Sequence, residues 1–136
     1  MTDRENKVTL LRRTGALIYD CIAVVVLIYF AAFVPVLATG AILESGNPFF
    51  LIYLVIVTFS YFFVTWRKGR TLGMQVWKIQ ITNTEGHRPT AVQCAIRFIS
   101  ATVSISCFGL GYISALLNDE HSTWHDRLSS TRLTRL

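Results

Sequence analysis

The sequence predicts an all-α membrane protein: a two-helix transmembrane hairpin, a third hydrophobic segment that breaks and re-enters, and a small cytoplasmic β-ribbon cap. Three observations carry this. The 136-residue chain is 52% hydrophobic and only 15% charged, where a soluble domain carries about a quarter charged residues. Residues 21–38 and 49–66 contain no charged side chain, and each run is about the length that crosses a hydrocarbon core. The cations gather outside these runs: Arg4, Lys7, Arg12 and Arg13 precede the first, Arg67, Lys68 and Arg70 follow the second, and the connecting loop has none. By the positive-inside rule both ends of the hairpin are cytoplasmic.

Taken in order, a polar arm over residues 1–11 leads into a first helix over 10–39, with Asn6 or Thr14 as weak capping candidates. Pro35 lies near its far end, where a kink or early termination is expected. A cleaved signal peptide fits poorly, because the apolar stretch is too long and a second one follows. Residues 40–48 (GAILESGNP) are a turn, with Ser, Gly, Asn and Pro clustered. The second helix covers 49–66; its Tyr53, Tyr61 and Trp66 are candidates for the interfacial aromatic belt. Residues 71–82 change period to alternation, which predicts a short strand or extended segment. A polar loop over 83–89 follows, and Thr90 is placed to cap the next helix.

The third hydrophobic segment, 91–117, contains Arg97 and is divided by Ser- and Gly-rich sequence. A single crossing would carry Arg127, Arg132 and Arg135 outside, against the positive-inside expectation. A break near 107–111 with a return keeps the tail cytoplasmic and is the favoured reading; such a hairpin must be buried against protein. The closing residues 131–136 alternate and are expected to pair with 76–82. The whole chain, 1–136, reads as one domain.

Five residues stand out as a charge network: Arg13, Asp20, Arg97, His125 and Asp126. Arg13 and Asp20 are seven positions apart, two turns of one helix face, hence about 10 Å along the axis and too far to pair unaided. Arg97 enters the same half from the third segment. An ionisable group there is costly unless partnered, so Asp20 is expected to contact Arg97, and Asp126 to contact Arg13 or a helix amino end. The network reads either as a proton or cation relay or as a structural ion-pair set that fixes the tail to the first helix.

Other chemistry is excluded or unsupported. Cys21, Cys94 and Cys107 have no metal-site spacing and read as small buried hydrophobes. His87, His121 and His125 are too scattered for a ligand set, so neither metal nor cofactor is expected. The net charge of +5 sits beside apolar segments, which argues against nucleic acid. No nucleophile–base set is evident, so no enzyme is predicted. Trp77 and Trp124 read as headgroup anchors.

These motifs resemble the RDD family of small membrane proteins. The Arg-x-x-Ala-x-x-x-Asp pattern is met by Arg13, Ala16 and Asp20, and a Gly-Arg-Thr-Leu-Gly segment by residues 69–73. Arg97 opens the third segment, and His125, Asp126 and Thr131 match the closing motif. Met74 stands where the family often has Lys. The resemblance implies a multi-pass protein of the cell (inner, cytoplasmic) membrane, with transport of an ion or small ligand suggested for the family. Two function classes follow: a small transporter working through the Arg/Asp network, or a non-transporting adaptor whose cytoplasmic cap binds a protein or lipid partner. The expected partners are the lipid bilayer and either a second copy or another membrane protein.

Overall fold

A computed structural model describes residues 8–40, 46–107, 109–117 and 122–136. Residues 1–7 of the amino-terminal arm, most of the first turn and His121 lie outside the described residues. Helix α1 (Leu10–Thr39) runs for 30 residues, ~45 Å at 1.5 Å per residue. Pro35 does not end it; the helix runs on to Thr39 and stops at Gly40, whose left-handed backbone (φ 66°) lets its N–H reach the Val36 carbonyl. Proline removes the donor that the carbonyl four residues earlier needs. That carbonyl belongs to Ala31, and Tyr53 donates its hydroxyl to it at 3.2 Å. Tyr53 is thus a helix-repairing donor.

Helix α2 (Pro48–Arg67) starts under Asn47, whose side chain accepts from the Phe49 and Phe50 N–H groups, with Pro48 in the first turn, the position where its missing N–H costs nothing. Both long helices are long and apolar enough to cross a membrane. Tyr29, Phe30, Leu37, Phe49 and Val55 are all more than half exposed, an apolar surface that a soluble monomer rarely shows.

The alternating stretch 71–82 is not one strand. Its first part is a short helix, α3 (Leu72–Val76), because Thr71 caps it by accepting from Met74 N–H. The strand β1 (Ile79–Asn83) begins only after a turn at Trp77 and Lys78. It pairs antiparallel with β2 (Thr131–Arg135), Ile79 opposite Arg135 and Asn83 opposite Thr131. The ribbon therefore forms three residues later in the chain than the alternation alone suggests. On its other side Ile81 N–H donates to the Gly69 carbonyl at 2.8 Å.

The segment 91–117 forms two helices, α4 (Ala91–Ser106) and α5 (Leu110–Leu117). Thr90 and Gln93 form a reciprocal capping box at the start of α4. Gly111 N–H donates to Ser104 Oγ at 3.0 Å, and a Cβ on Gly111 would strike that same side chain, so α5 folds closely back on α4. A short helix α6 (Trp124–Leu128) then leads to β2. Phe98 of α4 meets Phe59 of α2 edge to face at 5.0 Å.

The core lies at one end of the molecule, where Val8, Ala16, Trp66, Met74, Ile79, Ile81 and Cys94 are buried together. Cys94 belongs to it, whereas Cys21 and Cys107 are exposed. The start of α1, the end of α2, the ribbon, the start of α4 and α6 all converge there. The two ends of the described chain therefore sit at the same end of the helix pair.

Candidate functional site

Arg13, Ala16 and Asp20 recur at helical spacing, so they share one face of α1, and all three are buried. Each serves a different neighbour. Ala16 leaves room for α3: a Cβ on Gly73 would collide with the Ala16 carbonyl, so two small residues let the backbones touch. One turn further on, Asp20 receives the start of α3. Thr71 donates its hydroxyl to Asp20 Oδ2 at 2.5 Å, Gly73 N–H donates to Oδ1 at 2.9 Å, and Tyr61 donates to Oδ1 at 3.5 Å. Thr71 Oγ1 in turn accepts from Met74 N–H at 3.2 Å. The Gly-Arg-Thr-Leu-Gly segment is thus the docking piece for Asp20.

Arg13 points to the tail. Its Nη2 donates to Asp126 Oδ2 and, at 2.9 Å, to Thr123 Oγ1. From α4, Arg97 Nη1 donates to Asp126 Oδ1 and, at 2.8 Å, to Thr131 Oγ1. Asp126 also accepts from Thr123 N–H at 3.1 Å, which closes the first turn of α6. Ser129 and Thr131 hydroxyls lie 2.7 Å apart beneath. The Arg97 guanidinium rests over the Trp66 ring, 5.3 Å from its centroid, within cation–π range. Asp126 and its two arginines are all nearly excluded from solvent.

The pairing differs from the sequence expectation in one respect. Arg97 meets Asp126 and not Asp20, because Asp20 is already satisfied by the neutral donors of the 71–74 turn. Asp126 does contact Arg13, as expected. Burial pushes the Asp126 carboxyl up, but Arg97 and then Arg13 outweigh it and hold it well below the usual carboxylate range. For the neighbouring His125, burial and then the Arg97 cation bring the imidazole down to about 3, against the pull of Asp126. His125 is neutral at physiological pH, with Nδ1 buried and unpartnered among the described residues.

Thr71, Thr123 and Ser129 are members of these clusters that the sequence reading did not single out. Thr123-x-x-Asp126 forms a capping box, and that spacing was the available signal for Thr123. Tyr61 and Trp66, expected in the aromatic belt, face Asp20 and Arg97 instead. Trp77 stacks over Gly15, where any Cβ would strike its indole, and its carbonyl accepts from Arg12 at 3.2 Å; Trp124 is 47% exposed. Among the described residues no group of three or more His, Cys, Asp or Glu side chains is arranged to hold a metal.

The RDD family model matches residues 7–130, nearly the whole chain. This chain belongs to the RDD family. No match was found to a curated protein or to a solved structure. The RDD motif residues therefore divide into two buried clusters, Asp20 with the 71–74 turn, and Asp126 with Arg13 and Arg97. Both join separate elements at one end of the bundle. Together with its two long apolar helices, membership of the RDD family fits a membrane protein.

Proposed function

We propose that this RDD protein is a multi-pass scaffold of the cell membrane, in which Arg13 and Arg97 clasp Asp126 and so fasten a basic cytoplasmic cap to the transmembrane helices. The observation that carries this reading is the closed state of the clasp. Both carboxylate oxygens accept from a guanidinium, and the carboxyl is held ionised, so it has no proton to exchange near neutral pH. A relay group needs the opposite tuning. The cap presents its cations outward, the kind of face that meets lipid headgroups or a partner protein.

The basic flanks support a cytoplasmic amino terminus. The contact of the tail with Arg13 supports a cytoplasmic carboxyl terminus, with α4 and α5 as a re-entrant hairpin. A reporter fused after Leu136 is expected to be active only in the cytoplasm; external activity would overturn the topology.

One observation favours the transport reading. Asp20 is a buried carboxylate in an apolar helix, and its hydrogen-bond partners among the described residues, Tyr61, Thr71 and Gly73, are neutral. Proteoliposomes loaded with a pH-sensitive dye decide between the two. The scaffold reading expects wild type and Asp20→Asn to leak like empty vesicles. An ion flux in wild type that disappears in Asp20→Asn would replace it with a transporter.

A further inference from the structure

We infer that the open groove between α4 and α6 binds one anionic phospholipid, an acyl chain lying along α4 and the phosphate on Arg127. Ile96, Ile99 and Val103 form a stripe on α4, and Trp124 and Leu128 of α6 make the opposite wall. The stripe runs from Ile96 to Val103, about 10 Å of helix, and its members are 40%, 63% and 49% exposed. Trp124, Arg127 and Leu128 stand at i, i+3 and i+4, so all three share one face of α6. The groove is thus walled by an indole that has a guanidinium three residues along its own helix, the pairing of groups found where a lipid changes from chain to headgroup.

Charge selects the headgroup. Among the described residues eight cations are exposed, all between Arg67 and Arg135, against one exposed acid, Glu85. Arg127 gives its Nε–H to Ser122 at 3.1 Å, which ties the guanidinium to the start of α6 without neutralising it. Basic pockets between helices on the cytoplasmic side suit anionic headgroups, and a zwitterionic lipid gains nothing from the surrounding excess of cations. The inference rests on the scaffold reading, because the clasp holds α6 against α4 and so makes the groove.

Native mass spectrometry of the full-length protein, titrated with phosphatidylglycerol or phosphatidylcholine, tests it. Phosphatidylglycerol is expected to bind about tenfold more tightly. Arg127→Gln should weaken it about fivefold, the equivalent of ~1 kcal/mol for one cation at a lipid surface, while Arg127→Lys retains most of the binding. Val103→Trp, which fills the groove, should lower adducts of both lipids. Equal retention of the two lipids, or no effect of Arg127→Gln, would overturn the inference. So would full competition by glycerol phosphate, which would mark a phosphate site without a chain, or a dimer that excludes lipid. The scaffold reading is checked separately by Asp126→Asn. If that variant melts like wild type, the clasp has failed. If it is destabilised while wild type shows no headgroup preference, only the lipid inference has failed.

Discussion

Asp126→Asn is the most informative substitution. The carboxylate accepts from Arg13 and Arg97, whose side chains are 8% and 4% exposed, and is itself 2% exposed. Asparagine keeps the shape and the acceptor for Thr123 N–H, but turns an amide toward a guanidinium and leaves two cations buried without an anion. Breaking a buried pair from one side costs about 3–5 kcal/mol, on the order of 10 °C in melting temperature for a chain of this size. Arg97→Gln alone should cost less, because Arg13 still neutralises Asp126. The Asp126→Asn, Arg97→Gln double variant should then be milder than the sum of the singles, with a coupling of about 1–3 kcal/mol. Thermal unfolding in detergent, followed by near-ultraviolet circular dichroism, reads all four proteins. Strict additivity, or a loss below about 1 kcal/mol for Asp126→Asn, would refute the clasp.

Other outcomes follow from the same geometry. Removing the Tyr53 hydroxyl by Tyr53→Phe should cost about 1–3 kcal/mol by orphaning the Ala31 carbonyl, and in a Pro35→Ala background, where the helix N–H returns, most of that loss should vanish on melting. Gly73→Ala should destabilise by about 1–3 kcal/mol or more, since its Cβ meets backbone, whereas Gly46→Ala, with nothing near it, should melt like wild type. His125 is depressed to about 3 in the fold, so the unfolded chain binds the extra proton below its ordinary value of about 6.5. Stability is therefore full above that pH and falls by up to about 1.4 kcal/mol per unit as pH drops toward 3; His125→Gln should flatten the profile between pH 8 and 5. The ionic part from Asp126, also depressed, is present above the ordinary carboxylate value and constant over that range.

Much of this architecture is legible because long charge-free runs leave few alternatives to a helix. The helices expected over 10–39 and 49–66 match α1 and α2 to within a residue at each end, and the alternation near residue 80 and at 131–136 gave the ribbon. The break expected near 107–111, from the Ser- and Gly-rich sequence around it, falls between Ser106 and Leu110. What pattern alone missed was local capping. Thr71 turned the first half of an alternating stretch into α3, and that helix start satisfied Asp20 before Arg97 reached it. Charge balance paired Arg13 with Asp126 but gave Arg97 to the wrong carboxylate. Hydroxyl and backbone donors compete for carboxylates as effectively as arginines, and their positions depend on how the chain turns after α2.

The central claim is that the clasp holds the cap, and hydrogen exchange tests it most directly. In lipid nanodiscs, peptides covering Ile79–Asn83 and Thr131–Arg135 should be strongly protected in wild type. In Asp126→Asn they should exchange orders of magnitude faster, while Tyr53 and the middle of α1 stay protected. Equal protection of the ribbon in both proteins would contradict the account.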